Sequence, residues 1–189
     1  MRITFTKIAP SKCGVVVERQ DGRVIRFPTA GASREFPHDV LHYIVESELG
    51  VAYGIWGCVA AGGSFPGMRG LGGHRKPHAR ERSRAIWKIA GQHPTEFEEL
   101  AGRFQRIALG DLDRSNGEHA LSMINSSWRP EKHARPLYDL PTVRRVCQQI
   151  RGWLDTWNSM EAGESVSADW TVPIPRDLSH PVLQSAKSR

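Results

Sequence analysis

An α+β fold, with a small N-terminal antiparallel sheet packed with several helices, is predicted by three observations. Runs rich in β-branched and aromatic residues open the chain. Segments with a helical spacing of apolar residues fill most of the remaining length, and one short β-rich run returns near the end. No internal repeat or second-domain boundary is visible, so residues 1–178 read as one α+β domain and residues 179–189 as a flexible tail.

Ile3–Ile8, Gly14–Arg19 and Val24–Phe27 read as strands. Asp21-Gly22, between the last two, is a tight-turn signal, because glycine accepts the positive backbone angle such a turn needs. Ala30-Gly31-Ala32-Ser33 relaxes the chain into a loop. Pro37 suits the first turn of the next helix, where its missing N–H costs little. Gly50 after Leu49 is the expected stop. A second, more buried helix is expected over Ala52–Ala61, with Trp56, Val59 and Ala60 supplying its packing.

The passage Gly62–Gly73 holds six glycines in 12 residues, together with Pro66. It is no regular helix and reads as a mobile loop or as backbone closely approaching something else. Ala79–Ala90 returns to helix. Thr95-Glu96-Phe97-Glu98 has the form of a capping box, opening a helix whose Phe97, Leu100, Ala101, Phe104 and Ile107 make a core stripe. Val143, Val146, Cys147, Ile150, Leu154 and Trp157 repeat that logic in a late helix, and Trp170–Ile174 supplies the closing strand.

The 189 residues, 39% apolar and 24% charged, fit a soluble globular protein with a continuous core. No stretch approaches the roughly 20 apolar residues of a membrane span. The N-terminus lacks a secretory apolar segment with a cleavage site. Cys13, Cys58 and Cys147 are odd in number, far apart and outside any Cys-x-x-Cys element. They read as reduced, buried thiols of a cytoplasmic protein.

The net charge of +6 has a local source, since Ser64–Gln92 carries seven Lys/Arg against one acid while the rest balances at 19 and 19. A basic segment of this kind permits an anionic ligand, a nucleic acid or an acidic partner.

The chemistry concentrates in His38-Asp39-Val40-Leu41-His42-Tyr43-Ile44-Val45-Glu46. On an ideal helix His42 lies about 40° around from His38 and Glu46 about 80°, so the three border one face. Two imidazoles and a carboxylate suit a divalent metal, zinc foremost, or a proton-transfer centre without one. The pair resembles the histidine pair of zinc-metalloprotease helices over nine residues only, and Asp39 stands where those helices carry glutamate. His38 and His42 are therefore assigned as ligands, and Glu46 as a third ligand or as the acceptor that fixes a histidine tautomer. Asp39 is the candidate general base, set against a simpler role as a charged residue at the helix start. His74 and His78 share the four-residue spacing and are candidates to complete the centre, with His93, His119 and His133 as less constrained alternatives.

Gly70-Leu71-Gly72-Gly73-His74-Arg75-Lys76 resembles a phosphate-cradling loop in composition only, lacking the complete order and its terminal Ser/Thr. The leading reading is a metal-dependent hydrolase acting on a small-molecule or peptide substrate. Its rival is a non-enzymatic interaction module for nucleic acid or an acidic partner, using the basic segment 69–88 with Arg80 and Arg84 on one helical face. A structural protein without metal is the third.

Overall fold

The computed structural model describes residues 1–10, 12–28, 36–72, 77–110, 117–126 and 137–183. Strand alternation sets the core face. In β1 (Arg2–Ala9) Ile3 and Phe5 are buried and their neighbours are not; β2 (Lys12–Glu18) buries Cys13, Val15 and Val17 in the same way. The two pair antiparallel with Phe5 opposite Val15. β3 (Val24–Arg26) follows the Asp21-Gly22 turn, where Gly22 has φ +79°.

Two further strands complete an antiparallel sheet. Part of the glycine-rich passage forms β4 (Arg69–Gly72), an exposed edge paired with β3. The expected loop is therefore partly a strand: absent side chains leave room there, and Arg23 Nη2 lies 3.6 Å from where a Gly70 Cβ would stand. On the other edge β5 (Ser165–Asp169) pairs with β1, giving the order β4-β3-β2-β1-β5. The closing strand thus ends just before Trp170 instead of beginning there. Its serines explain the register: Ser167 and Ser165 meet Thr4 and Thr6 through hydroxyl pairs of 3.0 and 2.8 Å, while Val166 and Ala168 alternate toward the core. Trp170, 4% exposed, drops into the core beyond the strand's end.

Helices cover one face of this sheet. α1 (His38–Glu48) is buried from Val40 to Glu46 and packs against α2 (Ile55–Ala61), α4 (His93–Leu109) and α6 (Leu140–Ser159). Gly50, at φ +66°, ends the α1 region as expected. α3 (Ala79–Ala90) and α7 (Arg176–Ser179) join α2 around Cys58, Ala61, Ile86, Ala90 and Leu178. α5 (Gly117–Asn125) packs on α4 and α6.

Trp56 locks α2 beneath α1. It stacks on Phe27 at 5.1 Å and meets Phe5 and Tyr43 edge-on, each such pair worth about 0.5–1.5 kcal/mol beyond burial.

α2 begins three residues later than the apolar run suggests, because Gly54 is its N-cap and residues 52–54 form the entry turn. α4 begins at His93, with Pro94 in its first turn, so Thr95 lies inside the helix and no side-chain cap forms. Ser179 ends α7 and Pro181 is buried; residues 30–33 and 184–189 lie outside the described residues. All three cysteines are buried and free, and burial pushes the Cys13 and Cys58 thiols up to about 12, which removes them as nucleophiles. Among the described residues, no helix is long and apolar enough to cross a membrane.

Candidate metal centre

α1 carries Val40, Leu41, Tyr43, Ile44 and Val45, so the fold buries its middle and takes His42 and Glu46 inside with it. His42 is 1% exposed and Glu46 0%. α4 lies alongside, held by Phe97, Leu100, Ala101 and Phe104. The residue after Phe97 is carried to the flank of that stripe, which turns Glu98 toward the two histidines.

The resulting contacts are short. His38 Nε2 donates to Glu98 Oε1 at 2.6 Å, and His42 Nε2 stands 3.0 Å from Glu98 Oε2. The two imidazole rings are 4.5 Å apart between centroids. One ligand atom from each of His38, His42 and Glu98 falls within 4.8 Å of the others, close enough for the three to hold a metal ion. Among the described residues, neither ring nitrogen of His42 has an aligned hydrogen-bond partner despite full burial.

Behind the centre, Glu46 does different work. Its Oε1 lies 3.5 Å from His42 Nδ1. The same carboxylate accepts the Ile55 and Trp56 backbone N–H groups at 3.0 and 2.9 Å. It therefore satisfies the first donors of α2 and adds a favourable charge at that helix's positive end. Gly54 makes this approach feasible, since a Cβ there would lie 2.3 Å from Glu46 Cδ. Glu46 thus lies on the Nδ1 side of His42 and is not one of the three residues whose ligand atoms cluster.

The electrostatics are set by these contacts. Burial alone would lower His42, but the Glu46 and Glu98 carboxylates outweigh it and raise the imidazole to about 9. Glu98 is held down to about 2, chiefly by His42 and also by His38. Full burial pushes the Glu46 carboxyl upward, opposed by His42 and the two backbone donors. Asp39 is also raised by burial and senses the charges of His38, His42 and Glu98. Its backbone oxygen accepts Trp56 Nε1 at 3.3 Å. The centre is open on one side, where the side chains of His38 and Glu98 are 34% and 52% exposed.

The sequence-predicted residues thus divide. His38 and His42 come together, with Glu46 behind them. His78 is exposed at the N-terminus of α3 in a left-handed conformation and is not in the cluster; His74 lies outside the described residues. His93 pairs with Glu96 at 3.4 Å, His119 is exposed on α5, and His133 is also outside the described residues. Glu98 is a ligand candidate that sequence reasoning missed, because its spacing from Thr95 gave it a ready explanation as a capping residue. No local signal relates it to a helix 60 residues earlier in the chain.

The basic segment is also divided. Arg80, Arg84 and Lys88 are exposed at four-residue intervals on α3, while Arg82 turns inward. Trp87 is half-buried and donates Nε1–H to Ser64 O at 2.9 Å, and Arg75 and Lys76 lie outside the described residues.

The chain matches no protein-family model, no curated protein and no solved structure.

Proposed function

We propose that the protein is a divalent-metal protein whose centre is formed by His38, His42 and Glu98, and that the metal serves a hydrolytic reaction. The observation that carries this reading is His42: a fully buried imidazole whose nitrogens lack aligned partners among the described residues, beside a second imidazole and a carboxylate within ligand distance. Three protein ligands and a solvent-facing side are what a catalytic site needs to keep a water on the metal. A bound divalent ion lowers the pKa of that water and supplies a nucleophile near neutral pH. Zinc fits two imidazoles and one carboxylate, as do other first-row metals.

In this proposal Glu46 is a positioning residue: its carboxylate, 3.5 Å from Nδ1, favours the proton on that nitrogen by charge and leaves Nε2 to the metal. Asp39 is the proton acceptor, its raised carboxyl being poised nearer neutrality than an exposed aspartate. The exposed face admits a small-molecule or peptide substrate. The test is elemental analysis of untagged protein, followed by the same measurement on His38→Ala, His42→Ala and Glu98→Gln. Stoichiometric metal in the parent, lost from all three, is expected. Protein without metal after exposure to each physiological divalent ion, or variants that retain it, would overturn the reading.

A second reading rests on the exposed Arg80/Arg84/Lys88 stripe, a surface for nucleic acid or an acidic partner. It predicts salt-sensitive binding abolished by Arg80→Glu/Arg84→Glu, with metal content unchanged.

A further inference from the structure

α2 ends in a second polar site. Beyond its last turn a cavity of about 360 Å³ is lined by Arg19, Asp21, Arg23, Gly62, Arg82 and His180, with Ala60, Ala61 and Ile174 as apolar wall. Its volume is in the range of pockets that hold small molecules.

Three cations surround one acid. The Arg19 side chain is 4% exposed, yet its contacts are long: 3.4 Å to Asp21, 3.4 Å to Val59 O and 3.5 Å to Gly63 O. Good N–H···O bonds fall at about 2.7–3.2 Å. Arg82 uses Nη2 on Ala61 O and on Ser179 O. Arg23 Nε is buried with no partner among the described residues. Gly62, at φ +113°, lets Arg19 and Arg82 approach each other: a Cβ there would meet Arg82 Nε at 3.1 Å and Arg19 Nη1 at 3.9 Å. α3 starts at the rim with Ala79, and its N-terminal N–H groups have no side-chain cap among the described residues. His180 stands at the mouth, its Nδ1 engaged with Ser179 Oγ at 3.0 Å.

Capping the carbonyl end of α2 accounts for part of this, since Val59, Ala61 and Gly63 all present oxygens to it. Such capping leaves the orphaned Arg23 Nε and the crowding of like charge unexplained. Arg19 is lowered from its ordinary value first by burial; Asp21 opposes this, while Arg23 and Arg82 push it the same way as burial.

We propose that this cavity binds the phosphate group of a small phosphate monoester, held among Arg19, Arg23 and Arg82. Three guanidiniums against one carboxylate match a phosphate carrying about two negative charges. Donors converging from the β2–β3 turn and from α3 suit a tetrahedral oxyanion better than a planar carboxylate. The apolar wall takes the organic part of the ester.

Calorimetric titration with inorganic phosphate, glycerol 3-phosphate and acetate tests this, in low-salt buffer with EDTA so that no metal-bound phosphate is read. Glycerol 3-phosphate should bind more tightly than inorganic phosphate, and acetate at least tenfold more weakly than either. Arg23→Gln and Arg82→Gln should each weaken phosphate at least tenfold, whereas Arg106→Gln, exposed on α4 away from the cavity, should leave it within twofold. Arg23→Gln keeps the test decisive if Arg82→Gln fails to fold, because the Arg23 side chain supports no helix end. No heat with either phosphate, equal affinity for acetate, or equal weakening by Arg106→Gln would overturn the proposal.

Discussion

His42 and Glu46, one turn apart on α1, meet at 3.5 Å between Nδ1 and Oε1, and both side chains are sealed from solvent. The same carboxylate receives the first N–H groups of α2. One buried acid therefore joins the candidate ligand helix to the helix beneath it, and its loss must be felt in both places. At the far end of α2 the carbonyls face Arg19 and Arg82, so both ends of this short helix carry the charge that its dipole favours.

Glu46→Ala strands two backbone donors in the interior and removes the carboxylate beside His42 Nδ1. Breaking a buried pair in this way is expected to destabilise the fold by about 3–5 kcal/mol. Glu46→Gln keeps the shape but turns an amide donor toward one N–H, at a cost of about 1–3 kcal/mol. Urea unfolding of the three proteins gives the comparison. A loss below about 1 kcal/mol for the alanine variant contradicts the capping role.

Gly54→Ala probes the same contact from the other side. The added Cβ would sit 2.3 Å from Glu46 Cδ, so either the carboxylate or the start of α2 has to move. Overpacking of this kind costs about 1–3 kcal/mol. His42 should lose its fixed orientation with it, read as a shift of the His42 ring resonances in NMR. An unchanged spectrum and stability would show that Glu46 does not depend on the space at Gly54.

Glu98 ties the pH response of the fold to the same site. Its carboxyl is depressed to about 2, so its stabilising contribution is fully present above the ordinary value of 4.5 and is lost as pH falls through about 2. Glu98→Gln removes that dependence. Stability of parent and variant should therefore converge between pH 4.5 and about 2, the parent being the more stable at neutral pH. Half-exposure of the side chain keeps the difference small. Parallel pH curves would mean that Glu98 is unpaired in solution.

Local patterns carried most of this architecture. Ile3 and Phe5 alternate with threonines, Phe97 to Ile107 repeat at helical spacing, and Gly22 and Gly50 sit where positive φ is needed; each signal lies within a few residues. His38 and His42 were legible for the same reason, four residues being one turn. Glu98 was not, because its partners come from another helix and its neighbours offered a local explanation. The edge strand at Arg69–Gly72 was hidden by its glycines, whose pairing depends on β3 and not on their own propensity. Helical spacing sets Arg82 off the Arg80/Arg84 face, but the acceptor it turns to, the carbonyl end of α2, belongs to another helix and left no local signal.

Metal uptake should compete with protons at His42. Without metal the imidazole is raised to about 9 by its two carboxylates, so it is protonated at neutral pH. Its contribution to stability is fully present below the ordinary 6.5 and is lost as pH rises toward about 9. A metal ligand has to be the neutral imidazole, so binding between about pH 6 and 8 displaces one proton and affinity should rise about tenfold per pH unit. Above about 9 that proton is already gone and the gain should level off. Glu46→Gln weakens the hold on the proton as well as on the ring, so its affinity should rise less steeply with pH than the parent's. Zinc titrations at several pH values in buffers of different ionisation enthalpy measure both slope and proton release. A flat profile with no released proton would place the metal elsewhere than on His42.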